Sequence, residues 1–254
     1  MVGGGGFPGT SPYDVADLSL AYDLLQPNSA VYDGSNRVAT LVNFSGVANC
    51  DAVQASDGLK PIYEPAGLNG RPSIRSDGVD DYMTPGSGAL ALTNNIAGWT
   101  DIFVGHWIST PAQVQTLASI SNGLASNNIR VDIRTSATPV IQILSRRLDA
   151  DSAVTSSFDA PVTTIQVRTF QRDYANALAR VYSSGSLVSS VAAGTAGNTS
   201  ATNSIASNMF ANNANGLCAN YRLGARFAWP RILTTAERVA VEKRLGYLWG
   251  IPIA

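Results

Sequence analysis

The sequence holds one histidine, His106, two cysteines, three glutamates and only 14% charged residues in 254 positions. With a single imidazole and two thiols far apart in the chain, Cys50 and Cys218, no Cys/His metal cluster can be assembled from local spacing. Two cysteines are too few for a disulfide scaffold; the expectation is two free buried thiols, with one long-range bridge as the alternative. Lys and Arg number 17 against 18 Asp and Glu, a net charge of −1, which creates no field to attract nucleic acid or anionic lipid. No run approaches the ~20 apolar residues of a membrane-spanning helix. The start, Met1-Val-Gly-Gly-Gly-Gly-Phe-Pro8, has neither the basic patch nor the apolar centre of a signal peptide, so the expectation is synthesis in the cytoplasm without a cleaved leader. A Gly-x-Ser-x-Gly elbow and a Gly-Lys-Ser/Thr phosphate loop are also missing.

What is present is a series of short alternating segments punctuated by Gly, Asn, Pro and Ser, the pattern of many strands. Leu18, Leu20, Tyr22 and Leu24 alternate before a turn at Asp33-Gly34. In Trp99 to Trp107, Ile102, Val104 and His106 share one face, and Phe103, Gly105 and Trp107 share the other. In Asn128 to Thr135, Ile129, Val131 and Ile133 face inward while Arg130, Asp132 and Arg134 face solvent. Val140 to Ser145 and Thr163 to Phe170 continue the series, Leu178 to Val191 reads as a hairpin turning at Ser183-Ser184-Gly185, and Tyr221 to Trp229 is a late strand. Gly194 to Asn220, crowded with Ala, Asn, Ser and Gly, reads as a long surface excursion.

One helix is expected, near the C-terminus. Thr234 and Glu237 form a capping box, Val241, Leu245 and Leu248 make an apolar stripe, and Gly250 and Pro252 end it. One helix among roughly ten strands excludes a TIM barrel or a doubly wound sheet, which need a helix for nearly every strand. The expected fold is all-β: a two-sheet antiparallel jelly-roll sandwich over residues 17–254 with one C-terminal helix, preceded by a Gly/Pro-rich arm, residues 1–16. A tetraglycine is costly to order, so Gly3, Gly4, Gly5, Gly6 and Phe7 are the expected anchor to a neighbouring subunit.

Gly67-Leu-Asn-Gly-Arg-Pro-Ser-Ile-Arg-Ser-Asp-Gly-Val-Asp-Asp-Tyr-Met83 resembles the signature of concanavalin A-like (laminin G-like) jelly rolls of bacterial surface proteins and bacteriophage virion proteins. Arg231 to Gly250 is similar to the closing helix of the same family. The pattern departs at Ser76, where an aromatic is usual, and in the last strand, where an acidic residue is missing. The resemblance implies two curved antiparallel sheets whose concave face binds sugars in many relatives; it implies no catalytic residue, since enzymes and plain binding modules share the fold.

Glycoside cleavage calls for two carboxyl groups about 5 to 10 Å apart. Glu237 and Glu242 fall on the helix and Glu64 in a Tyr-Glu-Pro turn, leaving Asp101 and Asp132 as the strand-borne acids. Aromatic rings stack on the C–H face of a pyranose, which makes Trp99, Trp107, Tyr63, Tyr82 and Trp229 candidates, each of which also suits a core position. Arg130, Asp132 and Arg134 can hydrogen-bond hydroxyls or acidic sugars, and a solvated sheet face accounts for them equally well. His106 is a candidate ligand contact, although a lone strand histidine is more often structural. Asp77, Asp80 and Asp81 beside Gly78 offer oxygen ligands to Ca²⁺, or simply shape a turn; no other cofactor is implied. The leading expectation is a non-enzymatic virion subunit, a decoration, fibre or tail component, displayed on the outside of a particle. Its arm would contact other virion subunits, as a homo-oligomer, and its lectin-like domain host-surface glycan. The alternatives are a stand-alone carbohydrate-binding module and a polysaccharide depolymerase.

Overall fold

Residues 98–107 carry a near-continuous buried run of aromatic and aliphatic side chains and form the centre of the largest sheet. The structure is a computed structural model that describes residues 9–122, 129–136, 140–159, 162–202, 204, 206–212 and 214–254. The expected anchor residues Gly3, Gly4, Gly5, Gly6 and Phe7 lie outside the described residues.

The chain runs through β1 (Leu20–Asp23), β2 (Ala30–Tyr32), β3 (Val38–Leu41), β4 (Ala52–Val53), β5 (Ile62–Leu68), β6 (Arg71–Arg75), β7 (Thr84–Pro85), β8 (Gly98–Trp107) and β9 (Gln115–Ser121). It continues with β10 (Ile129–Thr135), β11 (Val140–Ser145), β12 (Val154–Asp159), β13 (Gln166–Asp173), β14 (Leu178–Ser183), β15 (Ser186–Ala192), β16 (Ala206–Met209) and β17 (Tyr221–Trp229), and closes with helix α1 (Thr235–Trp249). The large sheet has the order β15-β14-β13-β8-β17-β6-β5, with β1 on β17 beyond β6; a second sheet is ordered β12-β11-β10-β9-β16, and a small one β2-β3-β4-β7. Every named strand pair is antiparallel. This is the expected jelly-roll sandwich, with one α-helix among the described residues.

Register decides which side chains go between the sheets. Opposite residues share a face, and Arg172, opposite Trp99, bonds Ser145 of the second sheet. Trp99, Asp101, Phe103 and Trp107 therefore point into the sandwich, and Val131, Ile133, Ile141 and Ile143 meet them from β10 and β11 in one core. The other face of β8 carries Thr100 and Ile102 toward the segment around α1, where Thr100 Oγ1 donates to the Arg231 carbonyl. Both faces of β8 are thus covered.

The capping box on α1 forms as expected: Thr234 Oγ1 accepts from the Glu237 amide and Glu237 accepts from the Thr234 amide. The left-handed Gly250, at φ 64°, ends the helix. Buried Val241, Leu245 and Trp249 face the large sheet. Trp249 lies against the bare backbone of Gly224, where a Cβ would stand 2.4 Å from its ring, so β17 needs glycine there. Glu242 accepts from Thr169 Oγ1 at 2.6 Å and pairs with Arg238, whose guanidinium covers the Tyr182 ring.

Two expectations are corrected. The stretch from Gly194 to Asn220 is not a surface excursion, because β16 pairs with β9 and buries Met209 and Phe210. Glu64 lies within β5 rather than in a turn. Apart from these corrections, the end of the expected arm packs on the domain: Val15 belongs to the core, the Thr10 amide bonds the Ala240 carbonyl, and Tyr13 meets Phe227 edge-on. Cys50 and Cys218 are both free and buried.

Candidate functional site

The tryptophans of β8 offer no stacking face. Trp99 is 1% exposed and Trp107 fully buried, both sealed between the sheets; Trp229, on the α1 side, is equally buried. Tyr63 and Tyr82 keep partial exposure. His106 is half-buried: Nδ1 lies 2.9 Å from the Trp107 carbonyl, which can only accept, and burial holds the imidazole below its ordinary range.

Arg130, Asp132 and Arg134 follow the expected alternation, but the first two are not solvated. Arg130 is 2% exposed and sits in a polar cage, forking onto Asp149 at 3.0 Å and donating to Asn94 Oδ1 and the Thr202 carbonyl. Asp132 is 1% exposed, and its Oδ1 has no hydrogen-bond partner among the described residues. Burial pushes its carboxyl up to about 7, against the pull of the nearby Ser119 hydroxyl and Arg134. Arg134 stays half-buried and starts a polar ladder across the sheet, donating to Gln142 Oε1 at 3.1 Å while Gln142 donates to Ser157 Oγ at 3.2 Å.

Asp101 and Glu64 are each held in ion pairs. Asp101 is fully buried and pairs with Arg226 at 2.7 Å, so it does not share a cleft with Asp132, which lies on the outer face of the second sheet. Arg222 and Arg75 bracket Glu64 at 2.6 and 3.0 Å. Asp77, Asp80 and Asp81 do come together, with one ligand oxygen from each within 4.8 Å of the others. Much of that oxygen is already engaged: Asp77 Oδ1 accepts from the Val79 and Asp80 amides and Asp81 Oδ2 from the Asp77 amide. Burial, with repulsion from Asp77 and Asp80, pushes the Asp81 carboxyl up to about 7. The three residues have the donor set for Ca²⁺ and the hydrogen-bond pattern of an Asp-Gly turn.

A different constellation emerges where the two sheets meet at the β11–β12 turn. A pocket of about 230 Å³ is lined there by Arg146, Arg147, Asp151, Ser152, Arg172 and Thr195, with Gly194 beside them. Arg172 is the floor: Nε donates to Ser145 Oγ at 2.8 Å, and its other nitrogens donate to the carbonyls of Asp173, Leu178 and Ala193. Arg147 is half-exposed at the mouth, with Nε 3.1 Å from Thr195 Oγ1 and 3.5 Å from Asp151. Arg146 donates to the Asp149 carbonyl at 2.6 Å. Burial lowers the Arg146 and Arg172 guanidinium values, and for Arg146 the nearby Arg130 adds to this against the pull of Asp149. Three arginines thus line a pocket whose one lining carboxylate among the described residues is Asp151. Arg130 stands one ion pair behind it, sharing Asp149 with Arg146. The sequence signal was the run Ser145-Arg-Arg-Leu-Asp-Ala-Asp151, whose partners Arg172 and Gly194 are too distant to be joined to it by pattern.

No protein-family model and no curated protein matches the sequence. Solved structures match in fold. A Trypanosoma rangeli sialidase aligns with a TM-score of 0.60 and 10% identity, over 92% of this chain and 33% of that one. The CBM40 domain of the Ruminococcus gnavus IT-sialidase aligns with a TM-score of 0.51 and 15% identity, over 66% of this chain and 97% of that one; the same domain is also known bound to alpha2,3 sialyllactose. The chain spans a third of the sialidase and nearly all of the CBM40 domain.

Proposed function

We propose that this chain is a non-catalytic, lectin-like carbohydrate-binding domain whose arginine pocket takes the carboxylate of an acidic sugar. The observation that carries the reading is that Arg146, Arg147 and Arg172 line one small pocket with Asp151 as its one lining carboxylate among the described residues. A guanidinium presents paired donors that match both oxygens of a carboxylate. The half-exposed Arg147 is placed to receive it, with Thr195 and Ser152 at the rim for hydroxyls. The CBM40 likeness, and the sialyllactose bound to that domain, support the same chemistry. A passive role is supported by the acids: Asp101, Glu64, Glu237 and Glu242 are each held by an arginine.

This favours the carbohydrate-binding alternative over the particle-borne subunit. Residues 9–16 of the expected arm pack on their own domain. A glycan array carrying matched acidic and neutral oligosaccharides tests the proposal. Retention of the acidic set, weakened by salt more than that of the neutral set, supports it; no retention of the acidic set, retention of it as insensitive to salt as that of the neutral set, or release of sugar from either, overturns it.

A further inference from the structure

A second depression lies away from the arginine pocket and shares no lining residue with it. It is an open groove of about 400 Å³ between the end of β1 and the edge strands β2 and β5, lined among others by Gln26, Asn28, Ala30, Tyr32, Tyr63 and Pro72. Tyr32 belongs to the small sheet and Tyr63 to the large one, yet their rings stack with centroids 4.4 Å apart and planes 8° from parallel. The pairing is held by backbone contacts across the same corner: the Tyr63 amide donates to the Asn36 carbonyl at 2.7 Å, and Arg37 bridges to Ile62. Tyr63 covers one face of the Tyr32 ring, and Tyr32 remains 46% exposed on its strand.

The groove's chemistry differs from the first pocket's. None of its lining side chains carries a formal charge at neutral pH, and the nearby Glu64 is neutralised by Arg75 and Arg222. Two carboxamides stand at the groove: Gln26, oriented by donating to Asp23 Oδ2 at 3.0 Å, and Asn28, in the left-handed region at φ 58°. A flat, backed aromatic ring beside neutral amides, in a space that admits a ring-sized ligand, matches a pyranose: its C–H face meets the π-surface and its hydroxyls meet amides. A charged ligand would find no counter-charge among the lining side chains.

We propose that the Tyr32 groove is a second carbohydrate subsite, selective for an uncharged pyranose. The proposal rests on the carbohydrate-binding reading and extends it to a two-site module, with acidic and neutral units of a glycan held at different places.

The test is a backbone amide NMR titration of the full chain with lactose, maltose and cellobiose, and separately with sialyllactose. At least one neutral disaccharide should move the Gln26, Asn28, Ala30 and Tyr63 amides. Tyr32→Ala should weaken that binding about tenfold without lowering Tm by more than a few degrees, and Tyr32→Phe, which keeps the ring, should retain it. The inference is overturned if none of the three neutral sugars moves those amides, or if Tyr32→Ala binds as tightly as the parent. Sialyllactose shifts at Ser152, Gly194 and Thr195 report the arginine pocket separately. Their presence without groove shifts sinks this inference alone; groove shifts without them sink the acidic-sugar reading and leave this one standing.

Discussion

Arg172 on β13 donates from Nε to the Ser145 hydroxyl on β11 at 2.8 Å, so a single guanidinium joins the two sheets at the base of the arginine pocket. The same side chain donates to three backbone carbonyls. Arg172→Met removes these donors and strands buried acceptors; unfolding free energy should fall by about 3 kcal/mol, a Tm loss of roughly 6–12 °C. Thermal melts of parent and variant check this, and an unchanged Tm would show that the sheets do not depend on the tie.

The buried pair Asp101–Arg226, with Arg226 over the Phe103 ring, should behave as a coupled unit. Replacing either member alone leaves an unpaired buried charge, at a cost of about 3–5 kcal/mol. The double variant Asp101→Leu with Arg226→Met removes both charges and should cost much less than the sum of the two singles. Urea unfolding of the three variants measures the coupling; additive losses would deny it.

Asp81 gives a pH signature. Its carboxyl is raised from 3.8 to about 7 in the folded chain, so protonated Asp81 favours folding below pH about 4 and that contribution is lost as pH rises through 7. Asp81→Asn keeps an acceptor for the Asp77 amide and removes the repulsion with Asp77 and Asp80. It should stabilise by about 1–2 kcal/mol at pH 8, roughly 3–6 °C, and by almost nothing at pH 4. A chelator should leave the parent's Tm unchanged, because these carboxylates already accept backbone N–H groups. A Tm loss on chelation would instead assign a Ca²⁺ site to the cluster.

Both thiols are buried, and burial pushes them up, Cys218 to about 11. An aromatic disulfide reagent should label neither cysteine in the native chain and both in denaturant; fast native labelling would contradict the packing around them.

Much of this architecture was legible in the chain. Ile129 to Thr135 announced β10 by alternation, and Thr234 with Glu237 announced the start of α1. β16 was hidden because Ala206, Ser207 and Asn208 carry no apolar alternation; they form a strand through pairing with β9. Alternation also groups side chains by face without saying what covers that face. It set Trp107 with Phe103 and Arg130 with Arg134, but not that the second sheet seals the first pair or that Asn94, Asp149 and Thr202 enclose Arg130. The arginine pocket draws on segments near 146, 172 and 194, a juxtaposition only the folded chain supplies.

The most direct measurement is an amide NMR titration with sialyllactose, comparing the parent with Arg147→Ala. In the parent, saturable shifts should centre on Arg147, Ser152, Gly194 and Thr195, with lactose leaving those amides in place. Arg147→Ala should weaken binding about 10- to 100-fold, the loss of one charge-assisted contact of about 1.5–3 kcal/mol. Shifts confined to other parts of the molecule, or the same pocket shifts with lactose or after Arg147→Ala, would contradict an acidic-sugar site at the arginine pocket.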